Sequence, residues 1–127
     1  MIQAGTVLNV VDNSGGRKVR CIKVFPGFKR RYANIGDVVL VSIKSLRTKR
    51  RATSKVKKGE IFKALIVRTK SKKSNFFGES VQFLENSVVL LNRQNKILGS
   101  RVFGSIPSVF RFSRHLRVVS LSAGLVN

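Results

Sequence analysis

The densest set of side chains that could do chemistry lies between residues 47 and 73. Twelve of these 27 residues are Lys or Arg, and Glu60 is the single acid among them. Lysine and arginine side chains bind phosphate groups, and an arginine can also span two phosphate oxygens or stack on an unpaired base. At the centre of the stretch, residues 61–67 form an apolar, β-branched run that predicts a buried strand. A buried strand with a cationic arm on either side predicts a nucleic-acid partner.

Two shorter basic clusters predict further phosphate contacts, one in the second predicted strand and one in the loop after it. With the central stretch, they give these candidate contacts: Arg17, Lys18, Arg20, Lys29, Arg30, Arg31, Arg47, Lys49, Arg50, Arg51, Lys55, Lys57, Lys58, Arg68, Lys70, Lys72 and Lys73. Aromatic rings in loops can stack on bases. For Tyr32, stacking and capping of the end of the core are equally favoured, whereas for Phe76 and Phe77 an intermolecular contact is favoured. The apolar pattern predicts core positions for Phe62, Phe83 and Phe103.

The side chains present disfavour catalysis. His115 is the one histidine and stands next to Arg114, which favours a contact or surface role over that of a base. Each acid lies beside a Gly or Asn in a turn signal, so a two-metal nuclease site would need several of them to converge by coincidence. Cys21 is the one cysteine, which excludes an internal disulfide or a cysteine-based metal cluster and favours a small buried hydrophobe. We predict a non-enzyme without a cofactor.

The charge balance points to a polyanionic partner. The chain of 127 residues has 26 Lys and Arg against 5 acids, for a net charge of +21, while its 43% hydrophobic content agrees with one folded domain. No apolar stretch reaches the length of a membrane span, and no long helix with one basic face is predicted, so membrane insertion is not expected. The first residues lack the pattern of a signal or transit peptide, so we expect either synthesis at the site of action or a chain that has already been processed.

Short apolar runs separated by glycine-containing turns must position these cations. Strands are predicted at residues 6–11, 17–25, 37–44, 61–67 and 87–92, with a turn at residues 12–16, and a further turn and strand are predicted from Gly78. Their number and spacing favour an antiparallel meander closed into a small barrel, because closure removes exposed sheet edges. After Gly104 a helix of two or three turns is predicted, with Ser105 or Ser108 as its cap and Pro107 in its first turn. Residues 117–122 predict a final strand or extended segment.

Seven short motifs follow one another along the chain. They occupy residues 12–17 (D-N-S-G-G-R), 21–24 (C-I-K-V), 30–37 (R-R-Y-A-N-I-G-D), 55–60 (K-V-K-K-G-E), 67–70 (V-R-T-K), 89–92 (V-L-L-N) and 99–104 (G-S-R-V-F-G). In order and spacing they resemble the bacterial-type family of ribosomal protein L-fourteen of the large subunit. The resemblance covers nearly the whole chain, and the agreement of several ordered motifs makes it more specific than any single motif.

The resemblance implies a closed five-stranded antiparallel β-barrel, mainly β, with a short helical C-terminal portion at about residues 105–127 of a single domain. It implies binding to large-subunit rRNA, a bridge to small-subunit rRNA, and contacts with ribosomal proteins L-three and L-nineteen and with a ribosome-silencing factor. By motif it assigns an RNA contact to Ser14 and Tyr32 and supports many of the cations above. By region it implies an intersubunit or protein interface at Arg101, Arg111 and Arg114.

Several positions depart from the family pattern. The segment at residues 47–54 is more basic and longer, Leu84 replaces a usual acid, residues 97–99 and 104–106 lack the usual prolines, and the tail lacks the usual Pro-Glu. Extra charge, abundant Phe and loss of acids favour an organelle-encoded member: mitochondrial first, plastid second and bacterial third. The alternative function is a free-standing barrel that binds single-stranded RNA, such as a chaperone or regulator, and a nuclease is the least favoured.

Overall fold

The computed structural model describes residues 1–25, 30–47, 54–74 and 78–126. Its elements in chain order are β1 (Val7–Val10), β2 (Gly16–Val24), β3 (Val38–Leu46), β4 (Ile61–Arg68), β5 (Lys73–Ser74), β6 (Ser80–Val81), β7 (Ser87–Leu91), β8 (Ser105–Pro107), a 3-10 helix (Ser108–Phe112), α1 (Arg117–Leu121) and β9 (Gly124–Val126). The strands predicted at residues 6–11, 17–25, 37–44, 61–67 and 87–92 are therefore present, each within two residues of its predicted bounds. The strand predicted from Gly78 is the two-residue β6, which pairs with β5 outside the barrel.

Five strands close into a barrel in the order β1-β2-β3-β4-β7. Four of the five neighbouring pairs are antiparallel, and β1 pairs with β7 in parallel, with Asn9 opposite Ser87 and Val10 opposite Val88. Strand direction cannot alternate all the way around a ring of five, so one neighbouring pair must be parallel. The predicted mainly β, five-stranded barrel is confirmed, with this single parallel pair closing it.

The wall formed by β4 and β7 is buried on both faces. Alternate residues, such as Ile66 and Leu90, point into the barrel, and the residues between them, such as Leu65 and Val89, pack outward against the C-terminal segment. Phe110 of the 3-10 helix is fully buried in that outer cluster. A strand buried on both faces has no polar alternation, which is why these two strands are continuous apolar runs in the sequence.

Strand β2 differs from β4 and β7, because one of its faces lies in the barrel interior and the other is exposed to solvent. Val19 and Cys21 are buried, whereas Lys18, Arg20 and Ile22 are exposed. Cys21 is a free thiol inside the core, as predicted, and burial raises its pKa. The two walls thus divide the barrel surface into a side covered by the C-terminal segment and a side open to a partner.

The C-terminal segment differs from its predicted form. Instead of one helix of two or three turns, residues 105–107 form β8, which pairs in parallel with β9, and a 3-10 helix of five residues follows directly. No serine side chain caps that helix; Pro107 occupies the cap position. No helix among the described residues has both the length and the apolar composition to cross a membrane.

The strand predicted at residues 117–122 is also wrong, because α1 lies there. Its adjacent valines favour a strand locally, but a helical turn buries Val118 and brings Val119 and Leu121 against the outer cluster. The hydroxyls of Ser120 and Ser122 donate to the carbonyl oxygens of Arg117 and Val119. Tertiary burial therefore overrides the β preference of this short segment.

Candidate nucleic-acid interface

The exposed face of β2 presents cations whose neighbours carry no charge. Lys18 lies opposite Asn9 on β1 and Ser45 on β3, and Arg20 lies opposite Val7 and Ser42. None of these cross-strand partners is a carboxylate that could neutralise the cation. The two side chains thus stand on a rigid strand, in the positions where the sequence predicts phosphate contacts.

The lysines before β4 are positioned by a buried valine. Val56 is fully buried between the exposed Lys55 and Lys57. The backbone N–H of Lys55 donates to the carbonyl oxygen of Ser14 at 2.9 Å, and its ammonium donates to the carbonyl oxygen of Leu98 at 3.1 Å. Lys58 is exposed as well. This arm is therefore held against the barrel at Val56 while its charged side chains face outward.

Ser14, a predicted RNA contact, is buried in this structure. It is only 1% exposed, and both its hydroxyl and its backbone N–H donate to Oδ1 of Asp12. The other carboxylate oxygen of Asp12 accepts a hydrogen bond from the backbone N–H of Leu90 at 3.0 Å. The Ser14 side chain therefore lies in the interior, and its contact with RNA stays a prediction from the family motif.

Asp12 is more than a turn residue. It is fully buried, and burial raises the pKa of its carboxyl group, while the hydrogen bonds from Ser14 and Leu90 and the charge of Arg47 act in the opposite direction. Its carboxylate connects the turn between β1 and β2 to the barrel strand β7. Turn chemistry in the sequence gives no sign of that long-range bond, because Leu90 lies 78 residues away.

Arg68 also faces inward. Its side chain is 13% exposed, with Nη1 at 3.8 Å from Oε1 of Glu85, and its Nη2 donates to the carbonyl oxygen of Phe103. Burial lowers the pKa of the guanidinium, and the charge of Glu85 raises it. Arg68 thus ties β4 to the segment before β8, a structural role that the sequence did not indicate. The candidates that follow it, Lys70, Lys72 and Lys73, are exposed.

Phe103 lies in neither apolar core cluster, contrary to its predicted position. Its ring is half-buried, and the guanidinium carbons of Arg47 and Arg101 lie 5.1 Å and 5.4 Å from the ring centroid. Phe62 and Phe83, by contrast, are half-buried against the inner and outer clusters, in agreement with their predicted positions. The ring of Phe103 therefore interacts with cations that the sequence places far apart.

An open cleft of about 420 Å³ brings together arginines from three parts of the chain. Arg17, Arg47 and Arg68 line it with Phe103 and Glu85. The sequence predicts each of these arginines as a contact but does not predict that they converge. The pairing of β2 with β3, with Gly16 opposite Leu46, brings Arg17 and Arg47 together. Arg68 of β4 joins them only because the barrel closes through β7 and β1.

The loop before β3 carries exposed side chains next to a residue, Ala33, that is hydrogen-bonded to Ile2. Arg31 and Tyr32 are exposed, while Ala33 is buried and exchanges two backbone hydrogen bonds with Ile2. Arg30 lies 3.9 Å from the carboxylate of Asp37. Six other predicted contacts or stacking residues lie outside the described residues: Lys29, Lys49, Arg50, Arg51, Phe76 and Phe77.

The C-terminal cations lie near two cations that the sequence reasoning did not select. Arg114 lines a second cleft, of about 700 Å³, together with Lys96 and Arg117, and its Nε donates to Nε2 of His115 at 3.3 Å. Burial, and secondarily the charge of Arg114, lower the pKa of His115. Arg111 is exposed on the 3-10 helix. Because Lys96 and Arg114 lie far apart along the chain, the sequence did not predict that they form a cluster.

Within the described ranges, no three His, Cys, Asp or Glu side chains converge to form a metal site. A search of protein families gives a match to Ribosomal protein L14p/L23e over residues 1–126. The match confirms the resemblance that the ordered motifs indicated. Members of this family are structural constituents of the large ribosomal subunit, and their role is structural rather than catalytic. The chain, matched over all but its last residue, belongs to the ribosomal protein L14p/L23e family.

Proposed function

We propose that the protein binds large-subunit rRNA through the open side of its barrel. The observation that carries the proposal is the difference between the two walls: β4 and β7 are covered by the protein's own C-terminal segment, whereas β2 exposes Lys18 and Arg20. The lysine arm around Val56 and the loop at Arg31 add exposed charge to that of β2. Such an arrangement lets lysine and arginine side chains adapt to irregular phosphate positions while the barrel keeps their register.

The binding mechanism we propose is release of counterions from the RNA. With a net charge of +21, the free protein repels itself, and a polyanion relieves that repulsion. If about eight phosphates are contacted, the logarithm of the binding constant should fall with the logarithm of salt concentration with a slope of roughly −6 to −7. A slope near zero would contradict the electrostatic mechanism.

We also propose that the C-terminal portion faces the small subunit and neighbouring proteins. Arg111 on the 3-10 helix is exposed next to Phe112, whose side chain is 92% exposed. Cations beside an exposed aromatic ring suit an interface with both RNA and protein. This portion is therefore our candidate for the bridge to small-subunit rRNA and for contacts with ribosomal proteins L-three and L-nineteen or a silencing factor. The apolar side chains of the C-terminal portion complete the outer cluster. We therefore propose that this portion and the barrel form one domain.

The protein is located on the ribosome, as its family requires. We propose a mitochondrial ribosome first, with plastid and bacterial ribosomes as the alternatives, because of the extra charge and the few acids of the chain. We further propose that it has no enzymatic activity, since its family has a structural role and Asp12, its buried acid, is used in hydrogen bonds to Ser14 and Leu90.

Sedimentation of cell lysate tests the ribosomal assignment directly. Subunits are separated at moderate and then high salt, and the chain is followed by mass spectrometry. We expect it to remain with the large subunit at a stoichiometry near one after the salt wash. Recovery with small RNAs or at the top of the gradient would instead favour the free-standing RNA-binding barrel.

A further inference from the structure

Phe103 interacts with three arginines through two different groups. Its ring lies near the guanidiniums of Arg47 and Arg101, and its carbonyl oxygen accepts a hydrogen bond from Arg68. An aromatic ring attracts a cation electrostatically and limits the orientations that a guanidinium can take. One residue therefore restrains side chains that come from the ends of β3 and β4 and from the segment before β8.

The cleft at Phe103 carries more positive than negative charge. Three guanidiniums line it, from Arg17, Arg47 and Arg68, against the single carboxylate of Glu85. Arg68 is committed to Glu85 and to the Phe103 carbonyl oxygen. Arg17 is exposed. The Arg47 guanidinium lies over the ring, interacts with the charge of Asp12 and donates one long hydrogen bond, 3.4 Å, to the carbonyl oxygen of Val10. These two guanidiniums therefore retain donors that a ligand can use.

The backbone beside the cleft is shaped around Arg68. Gly104 has φ of +80°, and a Cβ atom built there would lie 2.8 Å from Nη1 of Arg68. A residue with a side chain would therefore push against the guanidinium that borders the cleft. The glycine keeps that border in place and so preserves the opening between Arg68 and Arg17.

We propose that this cleft binds one phosphate group, with Arg17 and Arg47 as the contacting residues and Phe103 as the positioning residue for Arg47. The proposal deepens, and rests on, the proposed function, in which the phosphate belongs to the rRNA backbone. A guanidinium can give two parallel N–H bonds to two phosphate oxygens. A guanidinium already ordered against a ring loses less conformational freedom when it binds, which favours affinity.

The ring serves the arginines and not a base. Two guanidiniums already lie within 5.4 Å of its centroid, and the ring is only half-buried among them. A stacking platform for single-stranded RNA would present a free aromatic face. The cleft therefore binds a phosphate group independently of the base that the nucleotide carries.

The first experiment is an NMR titration of the full chain labelled with ¹⁵N. Inorganic phosphate is the probe, and sodium chloride at the same ionic strength is the control. We expect phosphate to give saturable shifts at the backbone amides of Phe103 and Gly104 and at Nε of Arg47, beyond those caused by chloride. Shifts of equal size at all exposed arginines, or no difference from chloride, would overturn the proposal.

The second experiment compares variants in rRNA binding. Arg47→Gln and Phe103→Leu should each weaken binding several-fold, Phe103→Tyr should retain it, and Arg93→Gln is the matched control at an exposed arginine outside the cleft. Loss of one phosphate contact should make the salt slope shallower by about 0.7 to 0.9. If the ring positions Arg47, Phe103→Tyr should keep both the affinity and the salt slope of the original chain. A purely structural role of the ring would not make the salt slope depend on whether an aromatic residue is present. A Phe103→Leu variant that fails to fold leaves Arg47→Gln and the NMR titration to decide.

The outcomes separate this inference from the proposed function. If the unmodified chain binds rRNA with a steep salt dependence but Arg47→Gln loses no more than Arg93→Gln, the cleft proposal fails alone. If the unmodified chain shows no salt-dependent rRNA binding, the proposed function fails. In that second case a localised phosphate titration would assign the cleft to free phosphate or another phosphate ligand.

Discussion

The carboxylate of Asp12 accepts a hydrogen bond from the backbone N–H of Leu90 at 3.0 Å, across 78 residues of chain. The same carboxylate accepts two bonds from Ser14. Asp12 thus satisfies three donors in the interior and joins the β1–β2 turn to β7. This small network holds the loop from which Arg17 starts, so the interior chemistry of an acid helps to position a basic surface.

Replacing Asp12 with asparagine should destabilise the fold. An amide has a single acceptor oxygen, so its NH₂ group would face either Leu90 or Ser14 and leave a buried N–H unpaired. We expect the Asp12→Asn variant to lose about 1–3 kcal/mol of unfolding free energy. Urea denaturation followed by circular dichroism measures this. Unchanged stability would show that the network contributes little.

Asp12 should also make stability depend on pH. Since burial raises its pKa in the folded state above 3.8, the folded protein holds a proton over a range in which the unfolded chain has lost it. The contribution of this group is therefore fully present below the unfolded pKa and is lost as pH rises through the folded pKa. In urea titrations from acid to neutral pH, the original chain should show this loss and Asp12→Asn should not. Parallel pH profiles of the two proteins would contradict the prediction.

The lysine arm before β4 should be needed for RNA and not for folding. Replacing Lys55, Lys57 and Lys58 together with glutamine should make the salt slope of rRNA binding shallower by about 2 to 3, because each phosphate contact contributes somewhat less than one. Filter binding across a salt series measures it, with unfolding followed in parallel. Val56→Ala is the converse control, since truncating that fully buried side chain should lower stability by about 1–3 kcal/mol. A triple variant that unfolds would instead make the arm structural.

Gly104 should tolerate alanine less well than another glycine of the same backbone type. Both Gly104 and Gly5 have positive φ, +80° and +92°, but only at Gly104 would a Cβ atom meet a neighbour, the guanidinium of Arg68. Each substitution should cost about 1 kcal/mol for the backbone conformation alone. Thermal unfolding should show a further loss in Gly104→Ala that is absent in Gly5→Ala. Equal losses would mean that Arg68 moves aside freely.

Two phenylalanines on the 3-10 helix give a test of whether the C-terminal segment and the barrel unfold together. Phe110 is fully buried in the outer cluster, and Phe112 is 92% exposed. Phe110→Ala should lower stability by about 3–5 kcal/mol, and Phe112→Ala should have almost no effect. In the single-domain proposal, fluorescence of a reporter in the barrel and proteolysis of the C-terminal segment report the same transition. Separate transitions would divide the chain into two units.

The arginine cleft shows that residues selected together as candidate RNA contacts can have different roles in the structure. Charge density alone selects Arg17, Arg47 and Arg68 from the sequence. Their different roles depend on neighbours that lie far along the chain: Glu85 and the Phe103 carbonyl hold Arg68, and the Phe103 ring meets Arg47. Composition contains no information on those neighbours, since none of them lies within a helical turn or a hairpin of the arginine it contacts.

The sequence by itself determined the five barrel strands and their closure into a barrel, because alternation and turn glycines are local properties. The polyanionic partner class stays a prediction from the net charge, which is an additive property. The ordered motifs of the sequence also determined the family. Only the tertiary structure decided which cations face solvent and which, like Arg68, are turned inward, because that depends on barrel closure and on the C-terminal segment covering β4 and β7. The same long-range packing turned residues 117–121 into a helix, since burying Val118 outweighs the local preference of two adjacent valines.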